Sequence, residues 1–182
     1  IGRFFAFLDD KGLYDDLTII VVGDHGEQFR EHGQHGHGHQ LFNEEVHVPL
    51  FVKSPKAKGP RVVDITTSTV DIFPTALDAA GIPVPAGIPG VSLFDEQALE
   101  ARAGVLTEIK KQFDQKAFTT ADGVKLIRQT NADGTEVLMG AFDFRRDPRE
   151  AKPIKNKEVV ATLAAELTEA NTFALQGRIA GT

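Results

Sequence analysis

An α/β core followed by a smaller antiparallel subdomain is the architecture this sequence predicts, and three observations carry it. Residues 17–22 are a nearly unbroken β-branched and aliphatic run that stops at Gly23. Such a run reads as a strand buried on both faces of a sheet. Residues 48–53 repeat the pattern, with Pro49 near the start, where a missing donor is tolerable. From about Ala101 the chain changes to short strand candidates separated by Asp122-Gly123 and Asp133-Gly134, both strong turn signals. The expected division is therefore an α/β core over residues 1–100 and an antiparallel subdomain with a terminal helix over 101–182. The strands at 17–22 and 48–52 are expected to run parallel.

The elements follow in order. Ile1, Phe4, Phe5 and Leu8 fall on one face of a helix that stops near Lys11-Gly12. A chain that begins inside such a pattern, with no methionine before it, reads as a piece of something longer. After the first strand and its loop, residues 41–45 suit a short helical turn, and 54–60 a surface loop. Val62 and Val63 suggest a brief strand. Thr67 or Ser68 is placed to cap a helix in which Val70, Ile72, Phe73, Ala76, Leu77 and Ala80 pack inward and Gly81 ends the run. Residues 82–90 are punctuated by proline and glycine. The later strand candidates are 104–109, 115–120, 124–129 and 137–144, with a helix over 157–173.

At 182 residues the chain supports one sizeable core. A net charge of −6 without any basic cluster argues against nucleic-acid binding. The absence of cysteine excludes disulfides and thiolate metal sites.

Chemistry concentrates in one stretch. A buried strand opens at its carboxyl end onto the crevice where α/β proteins hold ligands, and Asp24 and His25 stand at that lip. All six histidines lie in this region: His25, His32, His35, His37, His39 and His47. Interspersed glycines exclude a helix. A solvated polar loop is the plain alternative. His35, His37 and His39 alternate, so an extended backbone would turn all three to one side.

The order Asp24-His-Gly-Glu, Glu31-His-Gly, His37-Gly, then Asn43-Glu-Glu-Val-His-Val-Pro-Leu50 resembles the C-terminal half of the sulfatase family, within the alkaline-phosphatase-like superfamily. The resemblance continues through Ser68-Thr-Val-Asp-Ile-Phe-Pro-Thr-Ala-Leu-Asp-Ala-Ala-Gly-Ile-Pro83. It ends with Val124-Lys-Leu-Ile and Phe142-Asp-Phe-Arg-Arg-Asp-Pro-Arg-Glu150. It implies the C-terminal half of an alkaline-phosphatase-like α/β/α fold with a small antiparallel sheet and a C-terminal helix.

By this resemblance Asp24 and His25 are metal ligands for a divalent ion: calcium, manganese or zinc. Imidazole nitrogen suits manganese or zinc better than calcium. His37 falls where relatives carry a basic side chain on the sulfuryl or phosphoryl oxygens, and is the expected catalytic residue, stabilising charge and protonating the departing oxygen. His35 and His39 are candidate substrate-binding residues. His32 reads as structural and His47 as an exposed strand-edge residue. Glu27 suits a loop-backbone bond or orients a histidine from outside the ligand set. Glu31, Glu44 and Glu45 are not expected to be catalytic; Glu44-Glu45 suits a helix cap or a solvated face. Lys125 and Asp147-Pro148 read as sheet and turn chemistry.

Relatives carry a nucleophile in a Cys-or-Ser, x, Pro, x, Arg setting, after a strand bearing paired aspartates, and neither that setting nor such a strand is present here. The implied function is metal-dependent sulfate-ester hydrolysis with the nucleophile supplied by a part this chain lacks. In that scheme the metal bridges nucleophile and ester oxygen while a histidine protonates the departing alcohol. A phosphoethanolamine or glycerophosphate transferase, or a phosphodiesterase, of the same superfamily is the alternative. A non-catalytic His-rich metal-binding module is a reading of a different class. Expected partners are small-molecule, glycan or lipid sulfate or phosphate esters. The expected setting of the parent is periplasmic, extracellular or membrane-attached, a tether included.

Overall fold

The computed structural model describes residues 1–55, 57, 59–111 and 113–180, the side chains of 175–180 excepted. The loop expected over 54–60 thus lies partly outside the described residues. Helix α1 spans Gly2–Asp10 and buries only Leu8. Strand β1, Ile19–Val22, follows. Two short strands, β2 (Gln28–Phe29) and β3 (His35–Gly36), and helix α2 (Asn43–Val46) lie between it and β4 (Leu50–Lys53).

Strands β1 and β4 pair antiparallel, with Ile19 opposite Lys53 and Val22 opposite Leu50. The expected parallel arrangement is therefore corrected. A parallel return needs a crossover, usually a helix laid across the sheet. Residues 23–49 contain only the four-residue α2 as helix, and the chain doubles back instead. The burial expected for these strands is also lower than their composition suggests. Each residue of β1 is half-buried or exposed, and Phe51 of β4 is 67% exposed, because the pair forms a two-stranded sheet by itself. The double-back has a positional consequence: the end of β1 and the start of β4 share one edge. Gly23 donates to the Pro49 carbonyl at 3.0 Å and Gly26 to the Glu45 carbonyl at 2.8 Å. The site loop is thereby stitched to α2. Only glycine fits at residue 26, since a Cβ there would stand 2.0 Å from the Glu44 carbonyl oxygen.

Val62 and Val63 form no strand and are exposed. Ser68 caps a 3₁₀ turn, Thr69–Asp71, through a capping box closed by Asp71. Helix α3, Ile72–Ala79, continues from it. Its inward face differs from the expected one: Asp71, Pro74 and Thr75 are buried, whereas Val70, Phe73, Ala76 and Ala80 are exposed. Polar bonds decide this orientation. The Asp71 carboxylate accepts from the Ser68 and Val91 amides and from Arg102, and Thr75 Oγ1 accepts from the Leu93 amide. A helix not anticipated from the pattern, α4 at Glu96–Ala101, is capped by Asp95, which accepts from the Ala98 amide at 3.0 Å.

The antiparallel meander is built as expected: β5 (Gly104–Lys110), β6 (Asp114–Thr120), β7 (Val124–Thr130) and β8 (Glu136–Asp143) pair in sequence order. The helix after it is longer than expected: α5 runs Lys157–Ala180. Period-two alternation lets the sheet bury both faces. Phe118, Leu126 and Ala141 pack on Leu163 and Leu167 of α5. On the opposite face Ala117, Ile127 and Phe142 pack on Leu41 and Phe42, the residues that lead into α2. Burying a side chain such as Phe42 stabilises by about 1.5–3 kcal/mol, and here that burial seats α2, and with it the end of the histidine tract, on the meander. Among the described residues no helix is long and apolar enough to cross a membrane.

Candidate functional site

The strand ends at Val22, and the chain turns so that neighbours no longer alternate across the sheet. Asp24 and His25 consequently share a side: His25 Nε2 lies 3.7 Å from Asp24 Oδ2. The Asp24 carboxyl is held below the usual carboxylate value first by a hydrogen bond from the His25 amide, 3.0 Å long, and then by the charge of the His25 ring.

Twelve residues on, His37 folds back onto this point. Its ring stacks on that of His25 with centroids 3.8 Å apart and planes 28° apart. His37 Nδ1 lies 3.2 Å from Glu27 Oε2, and His25 Nδ1 lies 2.8 Å from the Gly26 carbonyl oxygen. A carbonyl and a carboxylate only accept, so both Nδ1 atoms carry the proton and both Nε2 atoms keep a free lone pair. His25, Glu27 and His37 each offer a ligand atom within 4.8 Å of the others. Two imidazole nitrogens and a carboxylate oxygen form a donor set that fits a divalent cation. All three side chains are exposed, which leaves the site open to incoming ligands.

The other histidines separate. His35 faces Phe29 across the β2–β3 pair, edge-on with centroids 6.0 Å apart, and does not join the cluster. His39 is half-buried; a Cβ on Gly36 would lie 3.7 Å from its Nε2 and 3.5 Å from Glu27 Oε1, so it borders the cluster. The alternation expected for His35, His37 and His39 is broken because Gly36 and Gly38 adopt φ of 96° and 77°, out of reach of an extended chain. His32 stacks flat on Phe42, with centroids 3.6 Å apart, and pairs with Glu44 at 2.5 Å. His47 is exposed, 5.6 Å from the Phe144 ring.

Glu45 is the residue sequence reasoning passed over. It is neither a cap nor solvated: it is 5% exposed, and its carboxylate accepts the amides of Gly38, His39 and Gln40 at 2.5, 3.0 and 3.0 Å. The Gln28 amide donates to it as well, at 2.6 Å. One buried carboxylate thus satisfies three consecutive loop amides and fixes the backbone that presents His37. A glycine-rich loop short of amide acceptors, followed within a few residues by Glu-Glu, was the available signal.

A second buried pair anchors this arrangement to the meander. The Lys125 ammonium contacts Glu150 at 2.7 Å and donates to the Leu41 carbonyl and Asn43 Oδ1, each at 2.9 Å. Glu150 also accepts the Asn43 amide at 2.7 Å. Burial pushes the Lys125 ammonium down and the Glu150 carboxyl up, against their mutual attraction.

Comparison with known proteins gives a consistent result. Residues 1–82 match the sulfatase family model. Arylsulfatase K of Bos taurus is 29% identical over 179 residues, covering 92% of this chain and 33% of the bovine protein. Arylsulfatase K of Mus musculus is 37% identical over 162 residues, covering 82% of the chain and 29% of the mouse protein. The chain therefore spans about a third of the length of these two relatives. Among solved structures, BT4656 in complex with its substrate D-glucosamine-2-N,6-O-disulfate superposes with a TM-score of 0.69 and 26% identity. That match covers 97% of this chain and 38% of the other. The phosphonate monoester hydrolase of Silicibacter pomeroyi superposes with a TM-score of 0.66 at 23% identity, over 100% of this chain and 38% of that one, a likeness of fold.

Proposed function

From a chain whose residues 1–82 are sulfatase-family sequence and whose relatives are arylsulfatases, we propose that the protein containing it is a metal-dependent hydrolase of sulfate esters. The observation that carries this reading is the convergence of His25, Glu27 and His37 at the end of β1. Sulfatases are metal-dependent. Here Asp24, His25 through Nε2 and Glu27 would hold the ion, with His37 beside it and its own Nε2 left free, and the nitrogen donor favours zinc or manganese over calcium. When bound, such a cation supplies neutralisation of the negative charge on the ester oxygens.

The chain's own residues do the rest. Glu27 fixes the tautomer and angle of His37, leaving Nε2 to meet the ester. In its protonated form Nε2 donates to the departing oxygen or to the sulfuryl oxygens, where negative charge grows. Glu45 keeps that ring in place by holding the backbone on its C-terminal side. His39 borders the site and is the substrate-binding candidate this geometry favours; His35, turned to Phe29, is not. The chain contains no cysteine, so the nucleophile, whether formylglycine, threonine or serine, would be supplied from outside these residues. Substrate is a sulfate ester, in keeping with the sulfated glucosamine bound by the superposing structure.

The test is turnover of an aryl sulfate and an aryl phosphate by the full-length protein and its His37→Ala variant. Sulfate-ester turnover that falls about 10²–10⁴-fold in the variant is expected of a general acid. Phosphate-ester turnover alone would move the assignment to the transferase and phosphodiesterase branch. Full activity without His37 would overturn the role given to this residue.

A further inference from the structure

We propose that Lys111, at the tip of the β5–β6 hairpin, is an anion-recognition residue through which the antiparallel subdomain holds a sulfate-type oxyanion at the His37–His39 loop. The proposal deepens the sulfatase reading above and rests on it for the choice of anion.

Lys111 lies 72–74 positions along the chain from this loop, yet its side chain ends there. A Cβ placed on Gly38 would lie 3.4 Å from Lys111 Nζ and 3.9 Å from its Cδ. The ammonium therefore rests on the one residue between His37 and His39, where a glycine at φ 77° offers bare backbone. The hairpin tip is itself held, since the Lys111 amide donates to the Phe113 carbonyl at 3.2 Å. Both partners of the contact are thus fixed: Glu45 grips the Gly38 amide, and the turn grips Lys111.

The charge arrangement favours an anion. The flanking lysines are committed, Lys110 to Asp114 at 3.9 Å and Lys116 to Asn171 and Glu108. Lys111 has no carboxylate within ion-pair distance among the described residues. The nearby carboxylates are engaged elsewhere: Glu27 with His37, and Glu45 with the loop amides and Gln28. What remains is an ammonium with three donors against Gly38, the residue between His37 and His39. A compact point charge of this kind suits a tetrahedral oxyanion, whose oxygens accept from several directions.

The test is a sodium sulfate titration of the 182-residue chain against sodium chloride at matched ionic strength, followed by amide NMR. Saturable shifts at Gly38 and His39 are expected. Lys111→Ala is expected to weaken sulfate binding about three- to fivefold, the size of an exposed charge contact, and Lys111→Arg to retain it. Because Lys111 is exposed on a hairpin tip, the alanine variant keeps the fold, which unchanged β6–β7 amide shifts would verify. Absence of a saturable shift at Gly38, or equal affinity in Lys111→Ala, overturns the proposal. The readout does not depend on turnover. Lys111-dependent sulfate binding alongside a full-length protein inert to sulfate esters would overturn the catalytic reading and leave this one standing.

Discussion

The imidazoles of His25 and His37, twelve residues apart in sequence, stack with their centroids 3.8 Å apart at the end of β1. Their protonated Nδ1 atoms are tied to the Gly26 carbonyl and the Glu27 carboxylate, so two Nε2 atoms are left for an incoming ligand. A built site of this kind would bind metal through particular side chains, unlike a tract of histidines that captures metal wherever it is flexible.

Zinc titration of the chain separates these cases. His25→Gln and Glu27→Gln are each expected to lower zinc affinity about tenfold or more. His35→Gln is expected to leave it unchanged, because that ring lies against Phe29. Affinity that falls equally with any histidine, His35 included, would assign binding to the tract as a whole. Calorimetry at pH 7 reads the difference.

Replacing Glu45 by glutamine keeps the size and removes the charge. Three amides, from Gly38, His39 and Gln40, would then compete for one carbonyl oxygen. We expect a stability loss of about 1–3 kcal/mol from the groups left unsatisfied. Hydrogen exchange at these three amides should rise above that of the meander. Protection unchanged from the parent would show that Glu45 does not hold the loop.

Lys125→Met should destabilise the chain by about 3–5 kcal/mol, since it leaves the Glu150 carboxylate buried without its partner. The double variant Lys125→Met/Glu150→Gln should recover part of that loss, because neither charge is then buried. Urea denaturation of the three proteins checks both statements. A double variant no better than Lys125→Met alone would remove the ion pair as the cause.

The same pair sets a pH dependence. Burial raises the Glu150 carboxyl above its ordinary value of 4.5, against the opposing pull of Lys125. A raised group contributes stability that is fully present below the unfolded value and is lost as pH rises through the folded one. Relative to Glu150→Gln, the parent chain should therefore lose stability as pH climbs from 4.5 toward neutrality. Unfolding midpoints measured across that window for both proteins give the slope. A parent curve that runs parallel to the variant's would contradict it.

Much of this was legible in the chain alone. The Asp122-Gly123 and Asp133-Gly134 turns place the meander, and the observed strands match those expected to within a few residues. The apolar runs marked β1 and β4, and the restriction of all six histidines to residues 25–47 marked the loop. These signals are local: they depend on side-chain type, on period-two patterning, and on glycine where the backbone must turn.

What the sequence could not express is direction and long-range partnership. The antiparallel run of β1 and β4 depends on how residues 23–49 return, which no strand pattern encodes. The choice among His35, His37 and His39 was made by Gly36 and Gly38 at positive φ, which break the alternation that neighbouring side chains would otherwise keep. The exposed faces of Val70 and Phe73 follow from polar bonds made by Asp71 and Thr75 to residues 91–93, about twenty positions away. Glu45 and Lys125 read locally as a helix residue and a strand residue; only folding buries each beside the groups that need its charge. A buried charge is stable only with its partners in place, and those partners come from separate elements: Lys125 in β7 meets Leu41 just before α2, Asn43 at the start of α2 and Glu150 beyond β8.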